Sequence, residues 1–263
     1  MDITEMILTR KSVRTFDGTP LRKEDMQDLL SFMENIPNPW GIPVRFVYLD
    51  CEKHGLSSPV IRGEGAYVAA MVPEVEHCEE AYGYSFEKFV LHAWSMGIGT
   101  TWIAGTMKRE KFEKAAGKKD GEMMIAVTPI GYPAPRRSTV EKILRQSVKG
   151  DERKAPSELF FEGDFSSPLA DAPALELLEV VRWAPSAANK QPCRVVKVGG
   201  KYHFFCCHTQ GKRGSSPWDI QMVDVGIAIC NLMEVTEGSV SFEDPEVAAP
   251  EDTEYVATVS VKR

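Results

Sequence analysis

The sequence predicts an α+β fold made of two diverged copies of one unit. The first observation behind this is a helical stripe of apolar residues that follows Pro20-Leu21, with a matching stripe after Pro168-Leu169, 148 positions later. The second is that helical and strand patterns mix without regular βαβαβ alternation, which argues against a doubly wound parallel sheet. The two stripes consist of Met26, Leu29, Leu30, Met33 and of Ala174, Leu177, Leu178, Val181.

The elements after each stripe recur in the same order. Each predicted helix is followed by a proline, Pro37 or Pro185, and then by a predicted strand that begins near Pro43 or Pro192. Further pairs are the strands at 67–72 and 201–207, the helices at 86–94 and 226–233, and the strands at 123–130 and 255–261. We therefore expect a first copy at residues 1–150 and a second at 151–263. The polar stretch 136–154, with a short helix at 140–145, would connect them.

Charge and composition exclude several classes of function. The 263 residues carry a formal charge of −7, which argues against a general nucleic-acid binder. The longest apolar run, Ala66 to Val72, is far shorter than the roughly 20 residues that cross a bilayer. The start of the chain has neither the basic nor the apolar region of a secretory signal. We expect a soluble cytoplasmic protein without a membrane partner.

The cysteines do not predict a metal site or a disulfide framework. None of the six forms a C-x-x-C pair, which favours a reducing compartment. His203 to His208 contains two cysteines between histidines, but the run has the pattern of a strand, whose neighbouring side chains point to opposite faces. The dinucleotide, phosphate-loop, zinc-protease and hydrolase motifs are all missing.

Two segments have residues suited to binding a ligand. Arg10 to Phe16 places three cations and a hydroxyl within five residues at the end of a short helix predicted at 3–8. This arrangement is typical of an anion clamp, although a solubilising basic turn has the same composition. Ala184 to Pro192 is a stiff loop with Ser, Asn and Gln side chains between two prolines, or else a plain helix–strand connection.

Together these segments resemble the FMN-dependent nitroreductase family, whose members carry R-[RK]-S-x-R-x-F near the start and P-S-x-x-N-x-Q-P after the next helix. Two further segments resemble the family's glycine-rich helix end and its tail motifs. They are Met96 to Gly105, and Ile130 to Pro133 with Arg153 to Leu159. The resemblance implies a nitroreductase-like fold and spans nearly the whole chain.

The motifs are divided between the two copies. Family members are homodimers whose two FMN sites each take the arginine motif from one subunit and the proline-flanked loop from the other. Here the first copy has the arginine motif, but its loop has become Pro37 to Pro43. The second copy has the loop, but its start, Leu159 to Phe165, carries the acids Glu162 and Asp164. The chain resembles the duplicated single-chain branch, an intramolecular pseudo-dimer with one flavin site and no need of a second chain.

The resemblance implies roles for particular residues. Arg10, Lys11, Ser12 and Arg153 would bind the FMN phosphate, and Arg14 would reach the ribityl chain and the N1/O2 edge of the ring. The N–H of Gly105 would approach flavin N5, whereas Ala104 stands where several members have glutamate. The second copy would contribute Pro185, Ser186 and Asn189, with Gln191 supporting their loop. Catalytic side chains and metal ligands are not expected, because the flavin carries the chemistry.

The implied function is an FMN-dependent NAD(P)H oxidoreductase. It would reduce nitroaromatics, quinones or similar flat acceptors by ping-pong hydride transfer. The alternative is a flavin or nucleotide carrier or sensor without turnover. The residues do not identify the acceptor or decide between NADH and NADPH.

Overall fold

The computed structural model describes residues 2–209 and 216–262. The helices in these ranges are α1 Ile3–Thr9, α2 Lys23–Met33, α3 Cys51–His54, α4 Cys78–Ser95, α5 Arg109–Ala115, α6 Thr139–Ser147, α7 Pro156–Leu159, α8 Ala172–Arg182 and α9 Ile220–Glu234. The strands are β1 Arg45–Asp50, β2 Ala66–Pro73, β3 Glu122–Met123, β4 Val127–Ile130, β5 Phe160–Glu162, β6 Cys193–Val198, β7 Lys201–Cys207, β8 Gly238–Ser241 and β9 Thr253–Val261. The predicted helices all occur, although α4 and α9 begin at Cys78 and Ile220, well before the expected positions 86 and 226, and the predicted strands occur with one interruption described below.

The strands form two sheets that are mostly antiparallel. In the first, β2 pairs with β1, β3 and β4, all antiparallel. The second has the order β5-β6-β7-β9-β8, in which only the β5–β6 pair is parallel. The prediction against a doubly wound parallel sheet is confirmed. No helix in the described ranges has the length and apolar composition of a membrane span.

Strand β2 is apolar along its length because both of its faces are buried. Val68, Ala70 and Val72 belong to a large core that also includes residues of α4, α9, β6 and β7. The alternate residues Tyr67, Ala69 and Met71 pack into a smaller core on the other side of the sheet. The period-2 alternation of a strand therefore divides one unbroken apolar run between two cores.

The long helices α4 and α9 cross at two glycines. A Cβ atom on Gly83 would lie 2.1 Å from the carbonyl oxygen of Val223, and one on Gly226 would lie 2.2 Å from that of Glu80. Each glycine thus rests on the residue three positions before the other glycine. Such reciprocal contact is the pattern of an interface between two equivalent surfaces. Only glycine allows the two backbones to approach so closely.

Three details of the predicted elements are wrong. Leu30 is exposed, so the buried side of α2 instead consists of Asp25, Leu29 and Met33. Helix α4 is buried on nearly all sides rather than along one stripe, because it packs against both α9 and the first sheet. The strand predicted at 123–130 is interrupted at residues 124–126.

Side chains take over the backbone hydrogen bonds where that strand is interrupted. The hydroxyl of Tyr82 donates to the carbonyl of Ala126 at 2.6 Å and accepts from its N–H at 3.0 Å. The guanidinium of Arg109 donates to the carbonyls of Met124 and Ile125. The break is therefore fixed by residues remote in sequence, which a local pattern cannot reveal.

Candidate functional site

A cavity of about 460 Å³ lies between the segment after α1, the residues before α5, the connection that carries α6, the loop after α8, and helix α9. Ten of the eleven predicted site residues line this cavity: Arg10, Lys11, Ser12, Arg14, Ala104, Gly105, Arg153, Pro185, Ser186 and Asn189. Residues that are more than 160 positions apart in the sequence therefore lie at one site. The cavity is the place where the arginine segment and the proline-flanked loop come together.

Arg10 lies at the end of α1 and is almost completely buried. Its Nε is 3.5 Å from Oε1 of Glu87, a fully buried carboxyl on α4. Among the described atoms, Arg10 Nη1 and Glu87 Oε1 are buried without a hydrogen-bond partner. A buried donor without an acceptor is costly, so Arg10 retains bonding capacity beside the cavity.

The same carboxyl of Glu87 connects Arg10 to the glycine-rich segment. Nε1 of Trp102, a cavity residue, donates to Glu87 Oε2 at 3.1 Å. Burial raises the pKa of Glu87 to about 7, while Arg10 and the bond from Trp102 act in the opposite direction. The charge next to Arg10 therefore changes near neutral pH.

Arg153 brings a second buried guanidinium to the cavity. It lies over the ring of Trp183, 4.7 Å from the ring centre, and its Nε is buried without a partner among the described residues. Burial, together with repulsion from Arg10 and Arg182, lowers the pKa of Arg153 to about 10, against attraction from Asp151. Arg10 and Arg153 thus repel each other across a site that a bound anion would stabilise.

Arg14 adds a third cation from the same segment. Burial lowers its pKa, whereas the carboxylate of Glu141 on α6 acts to raise it. Glu141 also accepts from the backbone N–H of Arg14 at 3.2 Å and from the hydroxyl of Thr15 at 2.8 Å. Helix α6 therefore fixes the arginine segment against the connection between the two halves.

The loop after α8 has an uncommon backbone. Ala188, Asn189 and Gln191 have φ angles of 49°, 55° and 52°, in the left-handed region that non-glycine residues rarely occupy. Both carboxylate oxygens of Asp224 on α9 accept from the N–H of Ala187 at 3.0 Å. Such conformations persist where surrounding contacts enforce them, often at binding sites.

The amide side chains of this loop bind the connection between the halves. Asn189 Nδ2 donates to the carbonyls of Lys149 and Glu152 at 2.8 and 3.1 Å. The side-chain oxygen of Gln191 accepts from the N–H of Lys154 at 2.9 Å. Gln191 does not line the cavity, and its place among the cofactor-binding residues stays a prediction. Its contacts instead agree with a role in supporting the loop.

The glycine-rich segment forms the floor of the cavity. Ile103 exchanges two backbone hydrogen bonds with Val127, each 2.9 Å long, which fixes the segment beside β4. A Cβ atom on Gly105 would meet nothing within 4 Å, so this residue faces open space. The backbone next to Gly105 is therefore accessible from the cavity.

The residues that the sequence analysis places in a second, altered half-site are engaged in other contacts. Asn38 donates to the carbonyl of Ile42 and to the hydroxyl of Ser85. Glu162 forms an ion pair with Lys197 at 3.1 Å, and Asp164 accepts from the N–H and hydroxyl of Ser166. None of these acids or amides lines the cavity.

The cysteine- and histidine-containing run lies on β7, as its pattern predicts. His203 is hydrogen-bonded to the hydroxyl of Thr258 at 2.7 Å, and Cys206 is buried. Within residues 2–209 and 216–262, no group of three potential metal ligands is present.

Several cavity residues were not predicted individually, although some of them lie in the segments 96–105 and 184–192 that the sequence analysis singled out. They are Thr101, Trp102, Ile103, Thr106, Ala126, Arg145, Val148, Gly150, Trp183, Ala187, Ala188, Ile220, Val223, Asp224 and Ile227. Most are apolar or lie on α9, whose pattern indicates only a buried helix. Arg145 and Gly150 belong to the polar connection at 136–154. Its polar character was the only feature there that could have indicated a role in the site.

The fold is α+β, and its cavity is lined by four arginines, a lysine and several apolar side chains. The family model described as "Putative TM nitroreductase" matches residues 2–235. The chain therefore belongs to this nitroreductase family, which is a family of oxidoreductases.

A solved structure shares this fold over nearly the whole chain. A putative nitroreductase from Thermotoga maritima is 20% identical, with 99% of this chain and 94% of that chain covered and a TM-score of 0.63. A nitroreductase family protein from Clostridium novyi NT is 21% identical over 51% of this chain and 87% of its own, with a TM-score of 0.44. An FMN-dependent nitroreductase from Clostridium difficile R20291 is 13% identical over 51% of this chain and 88% of its own, with a TM-score of 0.43. Among curated protein sequences, none matches this chain.

Proposed function

We propose that the protein is an FMN-dependent NAD(P)H oxidoreductase that reduces nitroaromatics, quinones or similar flat acceptors. The observation that carries this proposal is a pair of buried guanidinium nitrogens at one cavity, Arg10 Nη1 and Arg153 Nε, neither of which has a hydrogen-bond partner among the described residues. A phosphate dianion would supply acceptors to both and relieve their mutual repulsion. The volume of about 460 Å³ falls within the roughly 300–1,000 Å³ typical of small-molecule sites.

The residues of the cavity fit the two ends of FMN. Arg10, Lys11, Ser12 and Arg153 would hold the phosphate, and Arg14 would lie along the ribityl chain towards the N1/O2 edge of the ring. The apolar walls from Trp183, Ile220 and Ile227 would exclude water from the ring. Pro185, Ser186 and Asn189 would close the site from the loop.

We further propose that the chain is an intramolecular pseudo-dimer with copies at 1–150 and 151–263 and one site. The reciprocal contacts of Gly83 and Gly226 support a twofold relation between the copies. One site is favoured because the equivalents of the arginine motif and the loop, around Glu162 and Asn38, are engaged in other contacts. One chain, functioning as a monomer in the cytoplasm, then contributes both halves of the site.

The chain's own groups act by binding and by charge. Bound FMN supplies a ring that takes up a hydride from a nicotinamide and passes it to the acceptor. The guanidinium of Arg14 would stabilise negative charge at the pyrimidine edge, and the Gly105 N–H would donate a hydrogen bond towards the middle of the ring. These groups only orient and stabilise. We therefore expect the choice of acceptor to depend on its flat shape and its fit to the cavity.

The decisive experiment is titration of the cofactor-free protein with FMN, followed by visible absorbance and flavin fluorescence. We expect saturation at one FMN per chain. Saturation at two would contradict the single-site proposal, and a failure to bind would contradict the flavin function. Steady NAD(P)H oxidation with an added quinone would then separate the oxidoreductase from a non-catalytic flavin carrier, which would show none.

Point variants test which half of the chain supplies which group. Arg10→Ala should weaken FMN binding roughly ten- to a hundredfold, because it removes a charge-assisted bond of about 1.5–3 kcal/mol. Asn189→Ala should weaken it less, since it loses neutral hydrogen bonds. The matched controls Glu162→Ala and Asn38→Ala should leave the affinity unchanged. If a control variant lost as much FMN affinity as Arg10→Ala, the flavin site would have to lie on the opposite side of the molecule from the one proposed.

A further inference from the structure

Arg109, the first residue of α5, binds the backbone that forms the floor of the cavity. Its guanidinium donates to three backbone carbonyls: to Ala104 at 2.8 Å and Ile125 at 3.1 Å through Nη2, and to Met124 through Nη1. It also lies over the ring of Trp218, 4.4 Å from the ring centre. Arg109 is not a cavity-lining residue, and the family resemblance gives it no role.

The bond to Ala104 fixes the direction of the next N–H. In a trans peptide the C=O of one residue and the N–H of the following residue point in opposite directions. Ala104 and Gly105 line the cavity and Arg109 does not, so we infer that the Ala104 carbonyl bound by Arg109 points out of the cavity and the N–H of Gly105 points the other way. Within the described part of the chain this N–H donates to no acceptor, although Ile103 nearby is paired with Val127.

Arg109 also places a positive charge behind that peptide. The groups to which its guanidinium is hydrogen-bonded are all neutral carbonyls, so its charge is not cancelled by a bonded carboxylate. Burial lowers the pKa of Arg109, while the more distant Glu113 acts to raise it. A cation bound to a carbonyl polarises the whole peptide and strengthens its N–H as a donor.

We propose that Arg109 is a positioning residue that aims the Gly105 N–H into the cavity and strengthens it as a donor to the ligand. This inference rests on the proposed flavin function for the identity of the ligand, but not for the orientation of the peptide. With FMN bound, the charge of Arg109 would favour the reduced, more negative form of the ring over the oxidised form.

Two substitutions separate geometry from charge. Arg109→Lys keeps the charge but cannot reach three carbonyls at once, because an ammonium lacks the planar fork of a guanidinium. Arg109→Gln removes the charge. The control is Arg45→Gln: Arg45 also donates to two backbone carbonyls, those of Ala116 and Gly117, is paired with Glu122, and does not line the cavity.

The first measurement is made on the cofactor-free protein. In both Arg109 variants, the amide NMR resonance of Gly105 should shift well beyond the shift of the Val127 amide, and Arg45→Gln should not move it. An unmoved Gly105 amide in Arg109→Gln would overturn the proposal. This readout does not depend on FMN, so it remains decisive even if the flavin function fails.

The second measurement is the reduction equilibrium of bound FMN. In Arg109→Gln the reduced form should be disfavoured about tenfold relative to the oxidised form, which for a two-electron couple equals about 30 mV. Arg109→Lys should stay within about twofold of the wild type in this ratio while binding FMN less tightly. If the wild type binds FMN and Arg109→Gln keeps its ratio, the charge role is refuted. If the wild type does not bind FMN, the proposed function fails instead.

Discussion

Replacing Gly83 by alanine tests the close crossing of α4 and α9. The new Cβ atom would lie 2.1 Å from the carbonyl oxygen of Val223, where ordinary van der Waals contact needs at least 3.4 Å. The obstacle is helix backbone, which cannot rotate away as a side chain could. The two helices must therefore separate by about 1 Å, and the surrounding core must follow, at the cost usual for overpacking.

The magnitude follows from two opposing effects. Overpacking of a dense core costs about 1–3 kcal/mol, and a rigid backbone clash belongs at the upper end of this range. Alanine in a helix interior regains about 1 kcal/mol relative to glycine. We therefore expect Gly83→Ala to lower the free energy of unfolding by about 2 kcal/mol, which corresponds to a loss of roughly 4–8 °C in Tm for a chain of this size.

The assay is thermal and urea unfolding followed by circular dichroism. Gly226→Ala should behave like Gly83→Ala because its Cβ meets Glu80 at nearly the same distance. The double variant should lose less than the sum, since helices already separated for one methyl group accommodate the other more cheaply. Gly65→Ala is the control, because its Cβ would meet nothing within 4 Å. Wild-type stability in Gly83→Ala, or strict additivity in the double variant, would refute the close crossing.

The remaining predictions concern buried polar groups. Glu87 has a pKa raised from 4.5 to about 7, so its contribution to stability is complete below about pH 4.5 and lost as the pH rises through 7. Relative to Glu87→Gln, the free energy of unfolding of the wild type, measured in urea, should therefore fall by about 3 kcal/mol between pH 4.5 and 8. A difference between the two proteins that does not change with pH would contradict this. Tyr82→Phe leaves the N–H and C=O of Ala126 without their partner, so it should lower the free energy of unfolding by about 2–4 kcal/mol in the same assay. A nearly unchanged stability would exclude both bonds. Arg14→Ala should weaken FMN binding and make bound FMN harder to reduce, as measured by dye equilibration, and an unchanged potential would remove Arg14 from the ring edge.

The order of the elements could be predicted from sequence because each depends on local patterning. A few neighbouring residues are enough to recognise each of these patterns: the apolar stripe of α8, the alternation of β7, and the prolines beside β1 and β6. The motif positions of the site were also readable, since the arginine segment and the loop are contiguous in sequence. Their meeting at one cavity could be expected only through the family resemblance.

What the sequence could not reveal depends on contacts between distant segments. The interruption at residues 124–126 requires Tyr82 and Arg109, whose polar groups replace a strand partner. Glu80 stands in an acidic stretch yet is buried beside α9. Glu87 has the sequence context of an ordinary helix residue, and its pairing with Arg10 emerges only once α1 packs on α4.

The connection between the halves is also a wall of the cavity, through Arg145, Val148, Gly150 and Arg153. In the proposed pseudo-dimer, two copies in one chain would be joined by a single connection, so a wall of this kind would be available on one side only. A protease cut within α6 would consequently open the site while leaving the shared core and its helix crossing in place. If the chain is the pseudo-dimer proposed above, covalent continuity alone makes its two sides unequal, before any substitution of individual residues.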